Sequence, residues 1–279
     1  MSYKTIAVHL EAGPRCAMRV ALAARLAVRH GARLVGIAPT GLPDVIIAMN
    51  SAVPDAIECI ALSAGDLRQN AETAARAFEV ECRRAGVASF SAEVVVAEAV
   101  DAVVRHGRCS DLVVVGQTDT AAPIDGLAFD FPQQVLLHAG PPVLVVPYAG
   151  TFASLGERVL IGWKDTREAA RAVRDALPLL RDARHVSLIE IGPVRTEATG
   201  DRSLEAASAW LDSHAIAFAA HREIELADTG AQLLSRASDL DVDLVVCGGY
   251  GHSRLREWAL GGVTKHLLGH MTVPTLLSH

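Results

Sequence analysis

The stretch 111-DLVVVG-116 recurs 132 positions later as 243-DLVVCG-248. Each is an acidic residue, four apolar residues and a glycine, which reads as a strand buried on both faces and ending in a turn. The same offset carries 142-PVLVVP-147 onto 274-PTLLSH-279. Upstream, KTIAVHL (4–10) matches RVLIGWK (158–164), and RLVGIAP (33–39) corresponds to HVSLIEIG (185–192). Helical patterns follow the first strands, over 13–30 and 166–181, and Gly31 is placed to stop the earlier one. Strands alternating with helices indicate βαβ units and a parallel sheet. The chain is therefore expected to be α/β, with two tandem doubly wound five-stranded Rossmann-like domains at 1–150 and 151–279, joined near 149-AGTFASLGE-157.

The first-strand offset is 154 rather than 132, so the first half holds about 20 additional residues between its second and fourth strands. They are expected in 40–63, an apolar insertion with two prolines, as a lid or packing segment or as part of a ligand pocket.

Composition narrows the function. Of 279 residues 51% are hydrophobic and 21% charged, which suits two well-buried cores. Net charge is −6, divided evenly: 12 basic and 15 acidic residues up to Gly150, then 14 and 17. That balance speaks against a nucleic-acid partner. Apolar runs are too short for a membrane span, and the N-terminus lacks a signal-peptide layout, so a cytoplasmic protein is expected. Five cysteines (16, 59, 82, 109, 247) without a CxxC pair read as apolar fillers in a reducing compartment. Cys82 shares a helix face with Leu67, Ala71, Ala74 and Phe78. His266 and His270 form the single helical i, i+4 histidine pair, with no metal motif beside them, and no GxSxG elbow is present. Trp163 and Trp258 read as packing residues, although Trp163 ends the first strand of its half, where a purine could meet it.

The chemistry-bearing stretch is 247-CGGYGHSRLREWALGGVTKHLL-268, with glycines at 248, 249, 251, 261 and 262. Gly261 and Gly262 precede an expected helix over 263–270, whose first N–H groups suit an anion. His252, Arg254, Arg256 and Lys265 add cationic groups against Glu257. It is neither a Walker A loop nor GxGxxG.

The spacing Gly248-x-x-Gly251, nine residues, Gly261, resembles the ATP-binding signature of the universal stress protein family, and the terminal Pro-x-Leu-Leu strand is similar too. The resemblance covers both halves, so the whole chain looks like a tandem universal stress protein. It implies strand order 3-2-1-4-5 and a nucleotide between first and fourth strands. It implies contacts from Gly248, Gly249, Tyr250, Gly251, Gly261, Gly262 and Val263, with Gly251, Gly261 and Gly262 along the phosphates, and Cys247 and Ile191 beside adenine and ribose. Gly162 and Lys164, at the end of the first strand of that half, complete the candidate nucleotide-binding set. The implied ligand is ATP or a related adenine nucleotide, with or without Mg²⁺, and no catalytic or metal site is expected. The implied role is stress-response or regulatory binding rather than turnover; a slow ATPase using His252 and a nucleotide-free scaffold are the alternatives. The resemblance also implies pairing of the final strands, as an intramolecular pseudo-dimer or a homodimer.

Two positions depart from the family pattern. Gly262 stands where Ser or Thr is usual, and Lys164 where Asp is usual, with Asp165 one residue later. Asp165 and Glu168 have capping-box spacing, so Asp165 is expected to cap the next helix. In the first half the 132 offset places Asp119, Phe129 and Asp130 where the second has Gly251, Gly261 and Gly262, with Asp125 in the same loop. Carboxylates there repel phosphate, so no nucleotide triphosphate is expected in that loop.

Overall fold

The computed structural model describes residues 2–41, 54–118, 130–193, 202–226, 228–251 and 262–279. The chain divides into two compact units, Ser2–Val143 and Leu144–His279.

In the first unit the elements run β1 (Thr5–His9), α1 (Pro14–His30), β2 (Arg33–Pro39), α2 (Pro54–Ala85), β3 (Phe90–Val95), α3 (Ala99–Gly107), β4 (Leu112–Gly116) and α4 (Phe131–His138). Its sheet has the order β3-β2-β1-β4, with parallel pairs such as Val8 beside Gly36 and Val114. The Val113 amide donates to the Pro142 carbonyl (3.0 Å), just before β5 (Val143–Val146), which crosses the boundary between the units.

The second unit continues with β6 (Arg158–Trp163), α5 (Arg167–Asp175), α6 (Leu177–Leu180), β7 (His185–Gly192), α7 (Ser203–Ser213), β8 (Ala219–Ile224), α8 (Thr229–Asp239), β9 (Leu244–Gly248), α9 (Gly262–His270) and β10 (Thr275–Ser278). Its strands lie in the order β8-β7-β6-β9-β10, all parallel. Numbered within the unit, this is the 3-2-1-4-5 order expected.

The repeated acidic residue before the fourth strand has a structural task. Asp111 accepts from the Lys4 and Thr5 amides (2.6 and 2.9 Å), and Asp243 from the Glu157 and Arg158 amides (3.1 and 3.0 Å). Each carboxylate thus satisfies the otherwise unpaired donors at the entry of its first strand, which fixes register. The apolar runs behind it are buried: Leu112–Val115 in one unit and Leu244–Val246 in the other.

Helix boundaries follow local chemistry. Gly31, at φ 61°, closes α1 in the left-handed conformation, and the Ala32 amide returns to the Ala27 carbonyl (2.8 Å). The helix expected over 166–181 instead breaks at Ala176 into α5 and α6. Pro178 has no N–H for the Arg174 carbonyl, so the ladder restarts. The additional residues of the first half lengthen a helix: α2 has 32 residues and α7 only 11. Residues 54–63 of the expected insertion open α2, and 42–53 lie outside the described residues. Cys16, Cys82 and Cys247 are buried as expected, while Cys109 is exposed beyond α3. Among the described residues, no helix is long and apolar enough to cross a membrane.

Candidate functional site

A cleft of about 340 Å³ opens at the carboxyl ends of β6, β7 and β9. Strand order reverses between β6 and β9, the place where doubly wound sheets leave room for ligands.

Four segments build it. From β6 come Gly162, Trp163 and Lys164, then Asp165 and Thr166. A Cβ at Gly162 would approach Leu233 of α8 to 3.0 Å, so glycine keeps this wall close to the helix. From β7 come Ile189, Glu190 and Ile191, continuing into Gly192 and Pro193. Glu225 and Thr229, hydrogen-bonded to each other, and Leu233 form the side beyond β8. The fourth wall is Cys247, Gly248, Tyr250 and Gly251 after β9, with Gly262, Val263 and Thr264 at the start of α9.

Two helices begin at the β9 turn. A Cβ on Gly248 would lie 2.5 Å from the Ala169 backbone nitrogen, so α5 packs directly onto that glycine. Thr166 caps α5, its hydroxyl accepting from the Ala169 amide (3.2 Å). The cap expected at Asp165 therefore sits one residue later, because Thr is also a good N-cap and the chain turns into the helix only after it. Asp165 is left to border the cleft. At α9 the first-turn N–H groups lack intrahelical partners, and nothing lies within 4 Å of where a Gly262 side chain would start.

Two acids at the site are engaged, Glu190 and Glu168. Glu190, 3% exposed, accepts from the Ser203 hydroxyl (2.7 Å) and from Arg222 Nε (2.8 Å). Glu168 lies with Oε2 about 3.0 Å from the Cβ position of Gly251 and is bound by Arg167. Burial alone would raise the Glu168 carboxyl, but the Arg167 guanidinium, its own backbone N–H and His279 hold it below the ordinary carboxylate value. Burial pushes the Cys247 thiol up to about 12, so it remains a neutral apolar wall. Lys164 is the one Lys or Arg among the described lining residues.

Of the residues singled out in sequence, Gly162, Lys164, Ile191, Cys247, Gly248, Tyr250, Gly251, Gly262 and Val263 come together around this cleft. Gly249, also singled out, is not among the residues that line the cleft. Its amide donates to the Ser278 carbonyl (2.9 Å) and its carbonyl meets His279 Nδ1 (3.1 Å), because the β9–β10 ladder runs one residue past Gly248. Gly261, His252, Arg254, Arg256, Glu257 and Trp258 lie outside the described residues, as do Asp119, Asp125 and Phe129 of the first-half loop.

Sequence reasoning missed Thr166, Glu190, Glu225, Thr229, Leu233 and Thr264. The Asp228–Thr229 helix start was a usable signal, since it follows a strand end where ligands collect. Among the described residues no cluster of His, Cys, Asp and Glu is arranged to hold a metal ion.

The comparisons agree with this architecture. Residues 156–279 match the universal stress protein family. A universal stress protein from Archaeoglobus fulgidus DSM 4304 superposes with a TM-score of 0.70 at 12% identity, covering 98% of this chain and 95% of its own. A functionally unknown protein from Pseudomonas aeruginosa PAO1 gives a TM-score of 0.64 at 16% identity, covering 99% and 92%. No curated protein sequence matches the chain. The match to the universal stress protein family spans 156–279, and the first unit ahead of it repeats the same order of its first four strands.

Proposed function

We propose that the second unit binds ATP or a related adenine nucleotide in the cleft between β6 and β9, and that the protein acts as a regulatory, stress-response binding protein. The observation carrying this reading is the α9 N-terminus opening onto the cleft through an unobstructed Gly262. A helix N-terminus favours anions by its unpaired N–H groups and its dipole. The volume of about 340 Å³ falls within the roughly 300–1,000 Å³ usual for small-molecule sites. Ile189, Ile191, Leu233 and Cys247 supply an apolar wall suited to a purine, with Lys164 and Asp165 at its edge for polar groups. Because Glu168 flanks Gly251, the phosphates fit on the α9 side of the loop rather than against α5.

Binding without rapid turnover is part of the proposal. Glu190 and Glu168 are tied into ion pairs and Cys247 is protonated, so none of the three is poised as base or nucleophile. Residence in the cytoplasm, expected from the short apolar runs and the cysteine pattern, and homodimerisation, implied by the family resemblance, belong to the same reading. Sedimentation of the pure protein with and without ATP tests the second of these.

The direct test is titration calorimetry on the wild type and Gly262→Asp. Position 262 has open space, and an acid in a first helical turn is tolerated, so the variant folds normally. It should bind ATP at least tenfold more weakly, about 1.4 kcal/mol, at unchanged Tm. A wild type that ignores millimolar ATP, or equal binding by both proteins, overturns the proposal.

A further inference from the structure

Tyr250 adopts φ 58°, a left-handed conformation that residues with a Cβ avoid. Two other described non-glycine residues do so, Ala215 (57°) and Asp241 (49°), and each stands two residues beyond a helix end, where that conformation is ordinary. Tyr250 has no such excuse. It follows a strand and borders the cleft.

Three hydrogen bonds set the backbone around it. The Gly249 amide and carbonyl are held by Ser278 and His279, and the Tyr250 amide donates to the Thr264 hydroxyl oxygen (3.2 Å). Thr264 is 4% exposed, sits in the first turn of α9 and also lines the cleft. Its hydroxyl is therefore the link between the β9 turn and the helix whose N-terminus faces the ligand space.

We propose that Thr264 is the positioning residue of this cleft: its hydroxyl holds Tyr250 in the left-handed conformation and thereby sets the 248–251 turn against the α9 N-terminus. Gly262 leaves the start of the helix without a hydroxyl, and the residue two positions on supplies one to the protein's own backbone. Strained backbone at a binding turn persists where neighbouring contacts over-determine it. Here the contact is one side chain on the opposite wall. The inference rests on the nucleotide reading for its ligand, and on the Tyr250–Thr264 hydrogen bond for its mechanism.

A double-mutant cycle read by ATP titration tests it, using Thr264→Val, Thr264→Ser, Tyr250→Gly and Thr264→Val/Tyr250→Gly. Thr264→Val keeps the shape but removes the acceptor, and should weaken ATP about tenfold. Thr264→Ser should stay within twofold of wild type. Glycine adopts positive φ without a strut, so in the Tyr250→Gly background Thr264→Val should cost less than threefold. An equal loss in both backgrounds, or none in either, overturns the proposal. Amide hydrogen exchange separates it from the nucleotide reading. If the wild type binds no ATP that reading fails, while the strut still requires Tyr250 amide exchange to accelerate in Thr264→Val and not in Thr264→Ser. Unchanged exchange would overturn the strut on its own.

Discussion

The ends of β1 and β4 in the first unit and of β6 and β9 in the second are equivalent by the repeat, yet among the described residues one is filled and the other open. In the first, the Arg19 guanidinium reaches over Gly116, where a Cβ would collide with it. It donates to the His9 carbonyl (2.9 Å) and to Glu11 (3.0 Å) while only 2% exposed. The His9 ring packs 4.7 Å from Phe131, the residue matching Val263, and Asp130 stands where the second unit has Gly262. Counted from the helix caps, Arg19 corresponds to Ala172, so the second unit removes the long cation and seats α5 directly on Gly248. A cleft of about 280 Å³ does exist in the first unit, running from the Glu11–Gly13 turn after β1 to the space between α1 and α2, around Cys16, Val20 and Phe78. One topology thus holds either a buried ion pair or an open cleft at its strand ends, depending on whether the chain brings its own ions there.

Breaking the filled end should have the largest effect. Arg19→Leu strands the mostly buried Glu11 carboxylate, which Arg19 otherwise holds below its ordinary value against the cost of burial. Denaturant unfolding should show a loss of about 3–5 kcal/mol, with ATP affinity unchanged.

Acid probes the same cluster. Burial, with a smaller contribution from Arg19, pushes His9 down to about 4 despite the raising effect of Glu11. The folded state therefore holds His9 neutral where the unfolded chain, near 6.5, would take a proton. Stability from this group is fully present above pH 6.5 and is lost as pH falls toward 4, on the order of 3 kcal/mol in all. His9→Phe should flatten that part of the stability profile; an unchanged slope would mean that His9 does not carry it.

The two strand-end glycines sharpen the contrast. Gly248→Ala would meet backbone of α5, which cannot yield, and should cost about 1–3 kcal/mol in thermal unfolding. Gly116→Ala would meet the end of the Arg19 side chain, and the smaller loss expected there reports displacement of that chain. The smallest effect is at the cap: Thr166→Ala should cost about 1 kcal/mol, whereas Asp165→Ala should leave stability nearly unchanged.

The frame of the molecule was legible because it rests on short-range patterns. Buried parallel strands demand unbroken Val/Leu/Ile runs, and β2 and β7 fall where those runs lie. Gly31 stopped its helix as read, while Pro178 broke one that periodicity alone carried through. The site was legible in part, since glycine spacing marks a turn but not which of its amides are already spent. Gly249 is committed to β10 and Tyr250 to Thr264, both partners remote in sequence. Arg19 was invisible for a related reason: an arginine in a helix reads as a solvated face until Glu11 and the His9 carbonyl are placed beside it. Asp165 and Thr166 are adjacent and both able to cap, so only the backbone path decides between them.

If the proposed nucleotide site lies at the open end alone, the stoichiometry of ATP binding to the whole chain shows it. Titration calorimetry should give one ATP per chain for the wild type and for Arg19→Leu, with binding weakened in Gly262→Asp. Two sites per chain, none, or binding that survives Gly262→Asp and disappears in Arg19→Leu would overturn the assignment of the site to the second unit.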